Sequence, residues 1–350
     1  MEQEIKARLE RAISEKVFPG AVVGIVRKDG TRSILPAGRF TYEEGSPSVE
    51  DETVYDVASI TKAVPVALLA LKYIEEGKLG LDEQVIKYVP EISIESRETA
   101  LIRHLLTYTY VLEKSADPNF SYENYKAKDV FEFLYTRPFA FPPGTQYQYS
   151  NTPANILALI LERISGKKLH VLAKELILVP LQMEHSTFKS ADKKLIPPTE
   201  LTSWRGEIRG EVHDETAFIL EGEGFDPGCA GLFSSAGDLL NVCETLLNDG
   251  IFKGAKIFEA DTVALMKTNA LADIDKFSGI GWELNEPRFM GKYTKPDTFG
   301  KTGFTGTSCV IDPQTGIAFV ILSNRTYPER SSPNGINELR RDISDIVLRT

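Results

Sequence analysis

The sequence predicts an α+β fold: an antiparallel sheet built from both termini, flanked by terminal helices, with an inserted, mostly helical region. Three observations predict it. Apolar, β-branched runs bounded by tight turns mark strands near both ends, at A-V-V-G-I-V-R-K and at I-A-F-V-I-L-S-N. Between them helical signals dominate, without the regular strand–helix alternation of a parallel sheet. Amphipathic helices open and close the chain. The sheet is expected from residues 1–75 plus 275–350 and the helical insertion from residues 76–274, the two packed as one compact unit.

The first helix runs from about Gln3 to Glu15 and stops before F-P-G. A-V-V-G-I-V-R-K then reads as a buried strand, D-G as a tight turn and T-R-S-I-L-P-A-G as its hairpin partner. The stretch from Tyr42 to Glu52 is acidic and irregular. Helical segments follow at Ala63 to Glu76, ended by Gly77, and at Asp129 to Leu134, Ala154 to Ile164 and Leu169 to Leu178. Pro65 is out of place in the first of these, because a proline inside a helix costs about 3 kcal/mol unless the helix bends. F-S-G-I-G-W-E-L, T-S-C-V-I-D-P and I-A-F-V-I-L-S-N read as antiparallel strands, with D-P-Q-T-G as the turn between the last two. Asn337 to Arg349 is the closing amphipathic helix.

Composition narrows the function classes. At 350 residues, 42% of them hydrophobic and 26% charged, this is an ordinary globular chain with a sizeable core. Forty Lys and Arg against fifty Asp and Glu leave a net charge of −10, which lacks the basic footprint of a nucleic-acid binder. Cys229, Cys243 and Cys309 are far apart and form no C-x-x-C, so they read as small buried side chains. His104, His170, His185 and His213 show no ligand spacing, and no metal site is expected. No run approaches the roughly 18 apolar residues that span a membrane. The N-terminal helix is charged, unlike an export signal. As written, the chain is expected in the cytoplasm, or in the periplasm or outside the cell if an export signal has been removed. The sequons at Asn119 and Asn324 are chance-level matches, and nothing in the sequence speaks to oligomeric state.

Three stretches carry residues suited to chemistry. In D-V-A-S-I-T-K-A-V, Ser59 and Lys62 stand at i and i+3 on one helical face, where hydroxyl and amine can meet. Free N–H groups at a helix start also face such a serine and can stabilise an oxyanion. The same pair is equally a capping serine and a solvated lysine. In P-P-G-T-Q-Y-Q-Y-S-N-T, Tyr149 and Asn151 offer a phenol and an amide at a helix entry, or simply packing and an N-cap. In F-G-K-T-G-F-T-G-T, Lys301, Thr302 and Gly303 offer a cation, a hydroxyl and bare backbone just before a strand. A phosphate loop is excluded there, because Lys295 stands where that signature needs glycine and no helix follows. The blander reading is a hairpin with an exposed lysine.

The order decides among these readings. S-x-x-K, then Y-x-N, then K-T-G is the arrangement of active-site serine penicillin-recognising enzymes, with Tyr in place of their Ser. Over roughly Ile13 to Ser323 the sequence resembles the serine β-lactamase and penicillin-binding protein superfamily, and looks most like its class C β-lactamase, D,D-carboxypeptidase and esterase-like branch. E-E-G-K-L-G-L-D-E-Q-V-I-K-Y-V-P, I-R-H-L-L-T, G-E-V-H-D-E and C-A-G-L-F-S-S-A-G-D-L support the resemblance. Two departures stand out. Many relatives carry T-H-T-S-G-L where this chain has T-Y-T-Y-V-L, and many esterase-like relatives carry His where it has Lys301.

The resemblance implies a β-lactamase/transpeptidase-like fold and a serine hydrolase that works without metal or organic cofactor on a small-molecule substrate. Ser59 is then the nucleophile, with Lys62 or Tyr149 as its base and Tyr149 delivering the proton to the leaving group. The backbone N–H groups of Ser59 and Phe304 form the oxyanion hole. Asn151 holds the substrate's amide, and Lys301 with Thr302 its carboxylate beside Gly303. Asn334 is a further candidate at the carboxylate. His104 and His213 are read as structural, Asp56 as a helix-start charge, and Trp204 and Trp282 as core or cleft wall. A β-lactam, a D-alanyl-D-alanine-type peptide and a small ester compete as substrates. A non-catalytic binder of peptidoglycan fragments is the alternative of another class. An α/β-hydrolase is disfavoured, since no G-x-S-x-G elbow occurs.

Overall fold

The computed structural model describes residues 1–114, 121–188, 193–330, 332 and 334–349; Asn119 lies outside them. Helix α1 (Glu2–Ser14) leads into the hairpin of β1 (Gly20–Arg27) and β2 (Arg32–Gly38). The two-residue strand β3 (Tyr55–Asp56) precedes a 3-10 turn over Ala58–Lys62 and helix α2 (Leu68–Glu75). Helices α3 (Ile102–Leu106), α4 (Ala127–Thr136), α5 (Thr152–Ser165) and α6 (Leu169–Ala173) follow. Next come β4 (Glu200–Thr202), β5 (Gly206–Ile208), α7 (Glu215–Gly222), β6 (Phe233–Ser234) and α8 (Ala236–Leu247). Then β7 (Ile251–Phe252), β8 (Ala255–Lys256) and α9 (Ala260–Lys267) lead back to β9 (Glu283–Leu284) and α10 (Pro287–Met290). Strands β10 (Phe299–Thr302), β11 (Ser308–Asp312) and β12 (Ile317–Ser323) and helix α11 (Asn334–Leu348) complete the chain.

The main sheet has the order β2-β1-β12-β11-β10-β9 and is antiparallel throughout. Its centre joins the two ends of the chain, with Ala21 opposite Ser323 and Arg27 opposite Ile317. Successive side chains of a strand point to opposite faces. Val23 and Ile25 therefore pack with Ile5 and Leu9 of α1 and Leu339 and Ile343 of α11. Val22 and Val26 join the larger core with Leu240 of α8 and the helical region. Strands covered on both faces are apolar at nearly every position, and all seven residues of β12 are buried. Gly24 fits that sandwich because a Cβ there would lie 3.0 Å from Leu240 and 3.1 Å from Val320.

The structure departs from the sequence reading in four places. The helix expected over Ala63 to Glu76 is broken: Val64 is extended (φ −116°, ψ 107°), as the residue before a proline prefers, and α2 starts only at Leu68. Of F-S-G-I-G-W-E-L only Glu283 and Leu284 form a strand. Gly279 there lies so close to Met266 that a Cβ would be 1.9 Å from its carbonyl oxygen. F-G-K-T, expected as a loop or hairpin, is strand β10. Helix α11 begins one turn earlier than its apolar periodicity suggested. The cysteines are free and buried, Trp282 is core, edge-on to Phe299, and no described helix is long and apolar enough to cross a membrane.

Since Leu339 seals α11 onto the sheet, Leu339→Ala is expected to lower unfolding free energy by about 2–5 kcal/mol. Urea denaturation would show this as a lower midpoint at unchanged m-value.

Candidate active site

Strand β3 feeds directly into the turn that bears Ser59. Buried Asp56 accepts the Ala58 N–H at 2.7 Å with one carboxylate oxygen and the His213 N–H at 2.7 Å with the other. Ala58 then takes a left-handed φ of 48°, unusual for a residue with a side chain, so the chain enters the turn sharply. Thr61 Oγ1 donates to Ala58 O at 2.7 Å and accepts the Leu232 N–H at 3.2 Å, fixing the turn to β6. The Lys62 side chain is buried, and its Nζ donates to Ser59 Oγ and to Cys229 O, both at 2.8 Å. Asn155 Oδ1 in turn accepts the N–H groups of Gly228 and Cys229, at 3.0 and 3.1 Å. Two acceptors thus hold the amine against the serine hydroxyl.

Burial pushes Asp56 up to about 6 against the two N–H groups it accepts. His213 is pushed down to about 3, first by burial and then by Arg330, Arg205 and Arg325. Its imidazole is therefore neutral at working pH, and its contribution is the backbone N–H on Asp56. His104 is also structural: its Nδ1 accepts the Leu101 N–H at 3.1 Å, capping α3.

The end of β10 meets this turn from the other half of the sequence. A Cβ at Gly303 would lie 2.3 Å from Val57 O and 2.1 Å from Thr307 Oγ1, so only glycine permits the approach. Thr305 Oγ1 donates to Asp56 O at 2.7 Å and Thr307 Oγ1 to Val57 O at 2.9 Å. Arg340 of α11 braces the far side, donating to Gly303 O at 2.9 Å, Thr307 O at 2.6 Å and Asn337 Oδ1 at 3.0 Å. Phe304 projects outward, with the guanidinium of Arg325 4.7 Å from its ring centroid. Its N–H has no partner among the described residues.

Lys301 differs from its expected state. It is fully buried, and its Nζ donates to Glu283 Oε1 at 2.6 Å. The ammonium lies 4.3 Å from the Tyr149 ring centroid and 4.9 Å from that of Tyr108. Burial opposes its charge, but Glu283 and the phenols of Tyr108, Tyr149 and Tyr147 outweigh it and hold Lys301 well above its ordinary range. Glu283 is held low despite burial, by Lys301, Arg288 and Arg340.

These elements enclose a cleft of about 560 Å³, lined by Ser59, Tyr149, Thr302, Gly303 and Phe304. Lys62 touches it through Ser59, and its Nζ lies 5.2 Å from the Tyr149 ring centroid. Lys301 does not line it. Asn151 faces elsewhere: it donates to Asp214 Oδ2 at 2.9 Å and borders a separate pocket of about 330 Å³ beside Tyr122, Tyr125 and Phe133. Asn334 is exposed at the start of α11, and Asn337, one turn on, lines the cleft in its place. Sequence reasoning missed Glu283, Arg325 and Arg340. Arg340 carried a usable signal, because it interrupts the apolar stripe Ile336, Ile343 and Val347 at helical spacing.

Asp56 supplies a test of the nucleophile turn. It titrates at about 6 when folded against an ordinary value of 3.8, so the native state keeps a proton that the unfolded chain releases between them. Its contribution to stability falls as pH rises from about 4 to about 6, by about 3 kcal/mol. The unfolding free energy of the wild type relative to Asp56→Asn, followed by urea titration, should drop by that amount across this window. A flat difference would contradict the burial of this carboxylate.

The sequence model of the Beta-lactamase family matches residues 3–340. A protein of Escherichia coli (strain K12), provisionally named a D-alanyl-D-alanine carboxypeptidase, is 31% identical over 367 aligned positions, covering 93% of this chain and 83% of that protein. A Salmonella agona (strain SL483) protein of the same provisional name is 30% identical over 314 positions, 80% of this chain and 71% of its own. Among solved structures, EstCE1, a hydrolase with promiscuous acyltransferase activity, superposes with a TM-score of 0.78 at 22% identity, covering 98% of this chain and 97% of its own. A penicillin-binding protein homologue from Caulobacter crescentus superposes with a TM-score of 0.74 at 17% identity over 97% of each chain. The chain belongs to the beta-lactamase family of serine hydrolases.

Proposed function

We propose that the cleft carries out acyl transfer through a covalent ester on Ser59. The observation that carries this reading is the contact of 2.8 Å between Lys62 Nζ and Ser59 Oγ, in a cleft that also holds the Tyr149 ring. An unactivated hydroxyl is a weak nucleophile near neutral pH. Lys62 in its neutral form takes the Ser59 proton as Oγ attacks the substrate carbonyl carbon. The N–H groups of Ser59 and Phe304 receive the developing oxyanion. The proton passes, by way of the Tyr149 phenol in the cleft wall, to the leaving nitrogen or oxygen. A water then attacks the ester and regenerates Ser59.

The substrates we favour carry a carboxylate beside the scissile bond, as β-lactams and D-alanyl-D-alanine-type peptides do. Arg340 supports this choice. It is buried in the cleft wall without a carboxylate partner among the described residues, and three of its contacts are neutral oxygens. Burial, Arg288 and Arg325 push it down to about 9, with only Glu283 opposing. A guanidinium in such positive surroundings favours an incoming anion. A second reading, hydrolysis of a neutral ester, is favoured by the pairing of Lys301, which withholds one cation from the substrate.

Turnover of a chromogenic cephalosporin beside p-nitrophenyl acetate, with intact-mass detection of the adduct, separates the two. Ser59→Ala should abolish the adduct while leaving Tm nearly unchanged, and labelling that persisted at another residue would sink the assignment. Arg340→Lys keeps the charge but loses the planar fork. It is expected to raise KM for the cephalosporin roughly tenfold while leaving p-nitrophenyl acetate nearly unaffected.

A further inference from the structure

We propose that the cleft has a second anion subsite at Arg325, beside Arg340, and that its substrates carry two separate acidic groups. The proposal deepens the acyl-transfer reading and rests on it, since Arg340 already accounts for one carboxylate. Its basis is a pair of guanidiniums built onto one loop. Both arginine side chains are buried, and both line the same cleft as Ser59. Residues 303–307 join them. Arg340 donates to the carbonyls of Gly303 and Thr307. Arg325 follows β12, and its backbone N–H donates to Thr305 O at 2.9 Å. Its stem lies against Gly306, where a Cβ would be 3.1 Å from Arg325 Cγ. Its guanidinium lies 4.7 Å over the Phe304 ring centroid, an attraction that leaves the charge in place.

The charges around the cleft single out this pair. The chain carries a net charge of −10, yet the cleft wall sets Lys276, Arg288, Arg325 and Arg340 against Glu283 and Glu286. Glu283 is already shared by Lys301, at 2.6 Å, and Arg288, at 3.3 Å. Glu286 lies 3.9 Å from Lys276 Nζ and caps α10. Both carboxylates thus belong to the corner between β9 and α10, and the surplus of positive charge falls on the loop of residues 303–307. Arg330 also lies over Phe304, at 5.4 Å, but it is taken up by Glu200 and Glu215. Burial pushes both Arg325 and Arg340 down; Arg330 adds to this at Arg325, and Arg288 and Arg325 add to it at Arg340. Like charges buried side by side are unfavourable, and an anion at each relieves them. A concave positive site in an acidic protein also concentrates anions.

The placement fixes the kind of ligand. Arg340 binds the two ends of the loop, and Arg325 lies at its middle, over Phe304. A small anion with its charge at one centre meets one guanidinium well. Two carboxylates on a short chain meet both. Phe304 supplies one N–H of the proposed oxyanion hole, so an acid at Arg325 lies within a few atoms of the scissile carbonyl.

Calorimetric titration of the whole protein with succinate, glutarate and adipate, each beside the monocarboxylate of equal chain length, tests this. At least one dicarboxylate is expected to bind roughly tenfold more tightly than its monocarboxylate, and more tightly than inorganic phosphate. It should compete with p-nitrophenyl acetate for the cleft. Arg325→Gln should bring the ratio of the two affinities down to about one, because only the second contact is lost. Three results would overturn the proposal: no advantage of any dicarboxylate over its monocarboxylate or over phosphate, binding that does not compete with the ester, or an advantage that survives in Arg325→Gln. The wild-type comparison decides alone if that variant does not fold. A protein that bound the dicarboxylate with this dependence on Arg325, yet turned over no ester and formed no Ser59 adduct, would instead refute acyl transfer and leave the subsite standing.

Discussion

The site depends on one seam, where the carbonyls of Asp56 and Val57 meet the hydroxyls of Thr305 and Thr307 across the bare backbone of Gly303. The serine and lysine belong to the start of the helical region and the K-T-G segment to the sheet. Neither half contains a cleft by itself. Hydrogen bonds from side chains to carbonyls suit such a joint, because a buried carbonyl left without a donor is unfavourable by about 1–3 kcal/mol. That asymmetry makes the register specific: a shift of one residue along β10 would take the threonine hydroxyls from both carbonyls and press a side chain into Val57. Arg340 holds the opposite edge of the same loop through its carbonyls, so α11 reports on the geometry of the cleft as well as on the packing of the sheet.

Two of the buried cations that border the cleft resolve their desolvation differently. Lys301 has a carboxylate in contact, and the pair is locally neutral. Arg340 has carbonyl and amide oxygens, which accept from its two terminal nitrogens without cancelling its charge. A buried charge without a counter-ion is unfavourable, and a substrate carboxylate is one way to relieve it. On the proposed reading, attraction for an anionic substrate would come from the cation that the fold leaves uncompensated. The residue that carries the recognisable motif is already satisfied.

This contrast also explains what was legible in the sequence. The centre of the sheet, drawn from both ends of the chain, could be read because β1, β11 and β12 are continuous apolar runs closed by strong turn signals. S-x-x-K and K-T-G could be read because each is local, and their order along the chain removed the ambiguity that each carries alone. The state of Lys301 was not legible. It is set by Glu283 and Tyr108, which lie in separate stretches and whose own surroundings read as an ordinary strand and a changed loop. The surroundings of Asn151 were not legible for a similar reason: its amide is engaged by Asp214, a residue with no local link to Y-S-N. The break at Val64 was partly legible, since Pro65 announced a bend, but the sharp entry at Ala58 has no glycine or asparagine to signal its positive φ.

That break has a structural partner. Gly281, with φ of 80°, lies against Ala67 so closely that a Cβ would be 2.4 Å from the alanine methyl, and its N–H donates to Leu106 O at 2.8 Å. Ala67 lies just beyond the kink after Ser59 and Lys62. Leu106 ends α3, two residues before Tyr108. Glu283 follows Gly281 by two residues at the start of β9. One close backbone approach therefore sets the distances among the nucleophile turn, the loop that supplies Tyr108 and the carboxylate that pairs with Lys301. A side chain at residue 281 would push these three apart together, and the contacts of Lys301 with Glu283 and Tyr108 would loosen without either residue having changed.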